Sequence, residues 1–268
     1  HHLPPEAWDS KVLKSGKRND LPVRRLMRTD GQGVRWMLTG VSVSVLDTAI
    51  YPVTIDPDYS DTTADGHVQG QGWLYSTARN MSVAYSNSFP YLDLGQRFYD
   101  DGKGYHVYYV NRAGLKIDTS GVPDGDDVSQ DALKLVCVYD YSDTDLDVQI
   151  VEQDWSAQDP LATGTREAFF DNCLAGATAA VWRNTSGMSP NTQYTSADLT
   201  PGYVNKTGYT YFSLRSSRDY SNTTPTGNEY ISIASQDHAT AGYRPVLAVT
   251  HAAGGGGGGK PTYAYVQQ

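Results

Sequence analysis

Apolar and polar residues alternate in short runs along this chain, and no stretch sustains an apolar period of 3.6 residues. In the run 41–46, Val41, Val43 and Val45 alternate with Ser42 and Ser44, which puts the valines on a buried face and the serines toward water. The β-prone run 34–38 precedes it, and Thr39-Gly40 between the two predicts a hairpin. The run 50–55 gives a further strand, ended by Asp56-Pro57. Short strands around His67, Trp73 and Met81 follow a loop rich in Asp and Ser. Residues 105–110 and 113–117 read as two strands parted by Asn111-Arg112, and a Pro123-Asp124-Gly125 turn leads into the run 132–139. Leu146, Val148 and Ile150 alternate with Asp145, Asp147 and Gln149, which predicts a half-buried strand with an acidic outer side. The runs 178–182, 209–214, 229–233 and 245–250 complete the set.

This spacing predicts an all-β fold: a two-sheet antiparallel sandwich of jelly-roll or Greek-key type, with extended N- and C-terminal arms and no helix-length insert. Residues 1–57 form an irregular N-terminal arm plus the hairpin lead-in, 58–251 the sandwich, and 252–268 a Gly-rich linker with a C-terminal strand or tail. Val43, Val53, Leu115, Ile117, Leu135, Leu146, Val148, Phe212, Ile231, Leu247 and Val249 are the expected buried face.

Composition supports the strand reading, since the chain carries 20 Tyr against 5 Phe, a balance suited to half-buried strands. Its two cysteines exclude a disulfide framework or zinc pattern; Cys137 sits in an apolar run and reads as a small buried hydrophobe, although a bridge to Cys173 stays open. No run reaches the ~20 apolar residues of a membrane helix. The chain opens at His1 with no charged-then-apolar leader, so its location is not read from its start. Of the net charge of −9, residues 1–35 carry +4 and the remainder −13. The basic residues Lys11, Lys14, Lys17, Arg18, Arg24, Arg25 and Arg28 predict a docking arm for an acidic neighbouring subunit. Without interleaved aromatics for base stacking, the arm does not read as a nucleic-acid binder.

Several strands, in order, resemble the DNRLRE-type domain, a bacterial extracellular β-sandwich module also found in phage structural proteins. The segment from Tyr243-Arg244-Pro245 through Val246-Leu247-Ala248-Val249-Thr250 looks like that module's closing strand, with His251 where Tyr is usual. Arg112-Ala113-Gly114-Leu115-Lys116-Ile117-Asp118 with the turn through Pro123 resembles its central strand, and Asp131-Ala132-Leu133-Lys134-Leu135 the next. Tyr51-Pro52-Val53-Thr54-Ile55 is similar to its lead-in. The resemblance covers residues 50–251, apart from the loops 56–103 and 155–205, and implies a surface sandwich.

The chemistry is sparse. Gly254 to Gly259 followed by Lys260 imitates a phosphate loop, but Pro261 stands where a hydroxyl should reach magnesium. The six histidines form no i, i+4 metal pair, and no nucleophile elbow occurs. Two acidic loops, Asp56-Asp58-Asp61-Asp65 and Asp124-Asp126-Asp127, are the places where a structural calcium fits; no other cofactor is expected. Trp73, Tyr75, Tyr85, Tyr91, Trp155 and Trp182 lie in or beside loops, where they could stack on a glycan or anchor an interface. The expectation is a non-catalytic structural or assembly protein of a virion or extracellular surface, such as a phage capsid-decoration, spike or tail-associated subunit. Its partners would be other subunits of the same particle, copies of itself included. The alternative is a carbohydrate-binding module of a secreted bacterial protein.

Overall fold

The computed structural model describes residues 65–251 in full, together with the backbone of the strands within 6–59 and of residues 252–253. β1 (Glu6–Val12), β2 (Arg18–Leu21), β3 (Val23–Thr29), β4 (Arg35–Val41), β5 (Val53–Asp56) and β6 (Asp58–Tyr59) precede the main body. Residues expected as an irregular arm therefore contain three strands: β1 pairs antiparallel with both β2 and β5, and β3 pairs with β4. The expected hairpin exists one strand earlier than its turn signal suggested. Thr39 and Gly40 lie inside β4, opposite Arg25 and Arg24, so Thr39-Gly40 is not the turn. Residues 42–46, and the side chains of Val43 and Val53, fall outside the described residues, as does the tail 254–268.

The body contains β7 (Gly66–Gly72), β8 (Ser82–Ser86), β9 (Tyr91–Asp100), β10 (His106–Asp118), β11 (Asp126–Ser142), β12 (Asp147–Val151), β13 (Thr178–Asn184), β14 (Thr192–Thr195), β15 (Tyr209–Ser216), β16 (Asn228–Ala234) and β17 (Val246–Ala253). Three helices join them: α1 (Tyr75–Asn80), α2 (Arg166–Ala175) and α3 (Ser217–Tyr220). The strands form one antiparallel sheet in the order β13-β12-β15-β10-β9-β16-β11-β17-β6, with β7 beside β10, β8 beside β7 and β14 beside β11.

Two long strands turn this sheet into a sandwich. β10 pairs with β9 through His106 to Asn111 and then with β15 through Ala113 to Asp118. β11 pairs with β17 over its first half and, past a bulge between Cys137 and Tyr139, with β16 over its second. A strand that changes partner at a bend or bulge carries the chain from one layer to the other. Leu115, Ile117, Val148, Ile150, Phe212 and Leu214 thereby share one core with Leu94, Leu133, Leu135, Ile231, Leu247 and Val249. Every expected core residue whose side chain is described is buried, Leu146 included.

Two expectations fail here for physical reasons. Asn111-Arg112 is no turn, because β10 runs straight through it and the fully buried Arg112 finds a carboxylate 107 residues away. A helix-length insert does occur: the ten residues of α2 bury Phe169, Phe170 and Cys173, too narrow a stripe to set up a lasting apolar period. α1 and α2 cover the outer face of β7 and β10, where Val68, Val110, Trp155, Phe169 and Phe170 form a second core. Glycines permit that approach, since a Cβ on Gly114 would lie 2.9 Å from both the Trp155 and Phe169 rings.

Candidate functional site

The aromatic residues singled out from sequence divide sharply by burial. Trp155 and Trp182 are core residues, their indole N–H groups donating to the carbonyls of Phe212 at 3.0 Å and Tyr194 at 2.9 Å. Tyr75 is buried too, its hydroxyl donating to Gln96 Oε1 at 2.6 Å. These three are therefore unavailable to a ligand. Trp73 and Tyr85 are exposed, and Tyr91 is half-buried.

Tyr91 belongs to a larger surface that the register of the strands assembles. Residues directly opposite in an antiparallel pair share a face. Tyr141 thus lies beside Tyr230, Tyr230 beside Gly95, and Arg97 beside Tyr109. Gly95 takes a φ of +120°, and a Cβ there would sit 2.8 Å from the Tyr230 Cα, so only glycine lets the strands pass. Ring contacts run without a break along this open face: Phe89 to Tyr91 at 5.7 Å, Tyr91 to Tyr139 at 5.4 Å, Tyr139 to Tyr141 at 5.8 Å and Tyr141 to Tyr230 at 5.0 Å. The Arg97 guanidinium continues the series, 5.9 Å from the Tyr230 ring and 4.1 Å over Tyr109. Tyr139 hydrogen-bonds Tyr91, which raises the Tyr91 phenol above its ordinary range, and Ser232 Oγ donates to Asp93 at 2.6 Å. Beneath the rings lie Val136, Val138 and Ala234, and Tyr139 and Tyr141 keep 41% and 43% of their surface in water.

A second exposed cluster stands at the tip of the β9–β10 hairpin. Trp73 meets Tyr105 at 5.1 Å and His106 at 5.8 Å, both edgewise, and Phe98 and Tyr108 continue the cluster inward. Trp73 is 58% exposed and Leu74 65%. The series of Tyr139, Tyr141 and Tyr230 was open to sequence reading as alternation in two strands; its joining with Arg97 depended on register and was not.

The acidic loops hold no converging ligand set. Lys206 Nζ donates to the carbonyls of Asp124 and Asp126, 2.7 Å each, so an ammonium already occupies the place a cation would take. Asp126 Oδ2 lies 2.8 Å from His251 Nδ1. Asp65 points inward and accepts the backbone N–H groups of Lys116 and Gln236. Among the described residues no three His, Cys, Asp or Glu side chains could hold a metal ion. The side chains of Asp56, Asp58 and Asp61, and of the basic residues Lys11, Lys14, Lys17, Arg18, Arg24, Arg25 and Arg28, lie outside the described residues.

The buried charges are structural in geometry. Arg112 grips Asp219 with two bonds, Nε to Oδ2 at 2.7 Å and Nη2 to Oδ1 at 3.0 Å, and donates to the Phe170 and Arg79 carbonyls. Arg218 pairs with Glu229 at 2.6 Å, and Arg215 closes the C-terminal end of α2 through the Cys173 and Leu174 carbonyls. Both cysteines are free; burial pushes the Cys137 thiol up to about 12 and also raises Cys173, which leaves neither as a thiolate nucleophile at neutral pH. Asp131 differs from the other buried acids: fully buried, with neither oxygen hydrogen-bonded, it is pushed up to about 6 by burial and by Glu152 and Asp198.

No family model matches the chain, and no curated protein matches it. Among solved structures, the chain is similar to one described under the specificity of carbohydrate-binding modules of the β-sandwich superfamily. The identity is 9%, the alignment covers 92% of this chain and 82% of the other, and the TM-score is 0.25. A likeness of that size says nothing about ligand. No described helix is long and apolar enough to cross a membrane.

Proposed function

We propose that the chain is a non-catalytic assembly module of a virion or extracellular surface, and that it docks through the open tyrosine face onto a second copy of itself. The unbroken series from Phe89 to Tyr109 carries this reading. Tyr139, Tyr141 and Tyr230 lie within 30° of parallel and turn their ring faces partly toward one another, so they present phenol edges and hydroxyls. Such a surface is stiff, amphipathic and cheap to order, the properties that enrich Tyr at protein interfaces. Arg97 and Asp93 supply its charges, and interface centres favour Arg over Lys and Glu. The resemblance of the closing strand to a surface sandwich module is in keeping with this role.

Light scattering of the purified chain across a concentration series tests it. The expected result is a defined oligomer that the double variant Tyr139→Ser, Tyr141→Ser weakens by about 30-fold or more, the scale of losing about 2 kcal/mol at an interface centre. Its melting temperature should stay within a few degrees of the parent. A native chain that remains monomeric at every concentration sinks the proposal.

A further inference from the structure

We infer that the exposed tip built around Trp73 is a saccharide site, and that it takes an uncharged pyranoside. The inference is independent of the docking face, from which it differs in the orientation of its rings. Trp73 touches Tyr105 and His106 at interplanar angles of 77° and 79°, so no parallel neighbour covers the indole, and with 58% of its surface in water a broad ring face stays open. The axial C–H groups of a pyranose are weakly positive and stack on the negative face of such a ring. Around the indole stand groups that can bond sugar hydroxyls: the His106 imidazole, 5.8 Å from it, and the Tyr105 phenol, with Tyr99 6.4 Å beyond Tyr105. Aromatic surface with a few fixed polar groups is the make-up of a small-ligand site.

The tip is also held in place before any ligand arrives. Asp101 Oδ1 accepts the N–H groups of Lys103 at 2.7 Å and Tyr105 at 3.1 Å, and Asp100 Oδ1 accepts that of Gly102 at 2.8 Å. Gly102 and Gly104 take φ of +69° and +96°, which closes the turn tightly. Inward, Phe98 and Tyr108 pack at 4.8 Å beneath His106. Little ordering is then left to oppose binding. Charge selects the class of glycan: residues 36–268 carry −13, which repels a polyanion and leaves a neutral polysaccharide unaffected.

Affinity electrophoresis of the full chain through gels holding a β-glucan, an α-glucan, a galactomannan or an arabinoxylan, with alginate as the anionic control, tests the inference. At least one neutral polymer should retard the native chain, with alginate inert. Trp73→Ala should raise the apparent Kd at least tenfold while leaving the thermal midpoint unchanged, and the Tyr139→Ser, Tyr141→Ser variant should be retarded as fully as the parent. Retardation by none of the four, retardation by alginate alone, or retention that survives Trp73→Ala overturns it. So does a Trp73→Ala chain whose only change is in oligomeric mass, which would make the tip a protein contact.

Discussion

Whether a given side chain faces water or the core was the least legible property of this sequence, because partners far along the chain decide it. Trp155 and Trp73 sit in similar loop sequence, yet Trp155 is sealed against Phe169 and Tyr211 and Trp73 stands in solvent. Arg112 looked like a turn residue because its salt-bridge partner Asp219 lies 107 positions on. Asp131 is the residue where burial costs stability outright. Its carboxyl titrates at about 6 in the folded chain against 3.8 as the ordinary value, so the folded state holds the proton more tightly than the unfolded one. Stability from this group is present below about pH 4, falls as pH rises to about 6, and stays lost above it. The two-unit rise corresponds to about 3 kcal/mol at pH 7. Asp131→Asn should recover much of that amount at pH 7 and flatten the slope between pH 4 and 6, as read from urea midpoints at both pH values. An unchanged slope would mean that Asp131 is not the group responsible.

At the level of elements, alternation located the strands well and the helices poorly. β12 shows why: Val148 and Ile150 are buried while Asp147 and Gln149 stay half-exposed, which is the pattern read from sequence. α1 and α2 are short and lie on a sheet face that carries its own apolar residues, so neither needs a long amphipathic stripe. A signal for α1 was present all the same. Gly70 and Gly72 are two residues apart and so share a face of β7, and glycine repeated on one strand face marks a close backbone approach. A Cβ on Gly70 would run into the Ala78 carbonyl and come within 2.8 Å of the Phe170 ring. Gly70→Ala should therefore destabilise the chain by about 1–3 kcal/mol, the usual cost of overpacking, measured as a lowered urea midpoint. Neutral behaviour there would show that α1 can lift off the sheet freely.

The sandwich as a whole was legible because its core depends only on alternation, while its binding surfaces depend on which strands become neighbours. β16 lies between β9 and β11, which precede it by more than eighty residues, and that placement alone brings Tyr230 to Tyr141. Trp182 reports from the core between the layers and Trp155 from the core beneath the helices. Because β10 serves both cores, fluorescence and far-ultraviolet circular dichroism should trace one coincident urea transition; two separated transitions would divide the molecule at β10. The sharing of β10 and β11 between layers reaches further than equilibrium stability. Neither layer can peel away from the other without breaking a strand that also belongs to its neighbour, so local opening is confined to the edges. A protease meeting this body would find loops to nick but no half to release, and amide exchange in the middle of β10 and β11 should be as slow as complete unfolding.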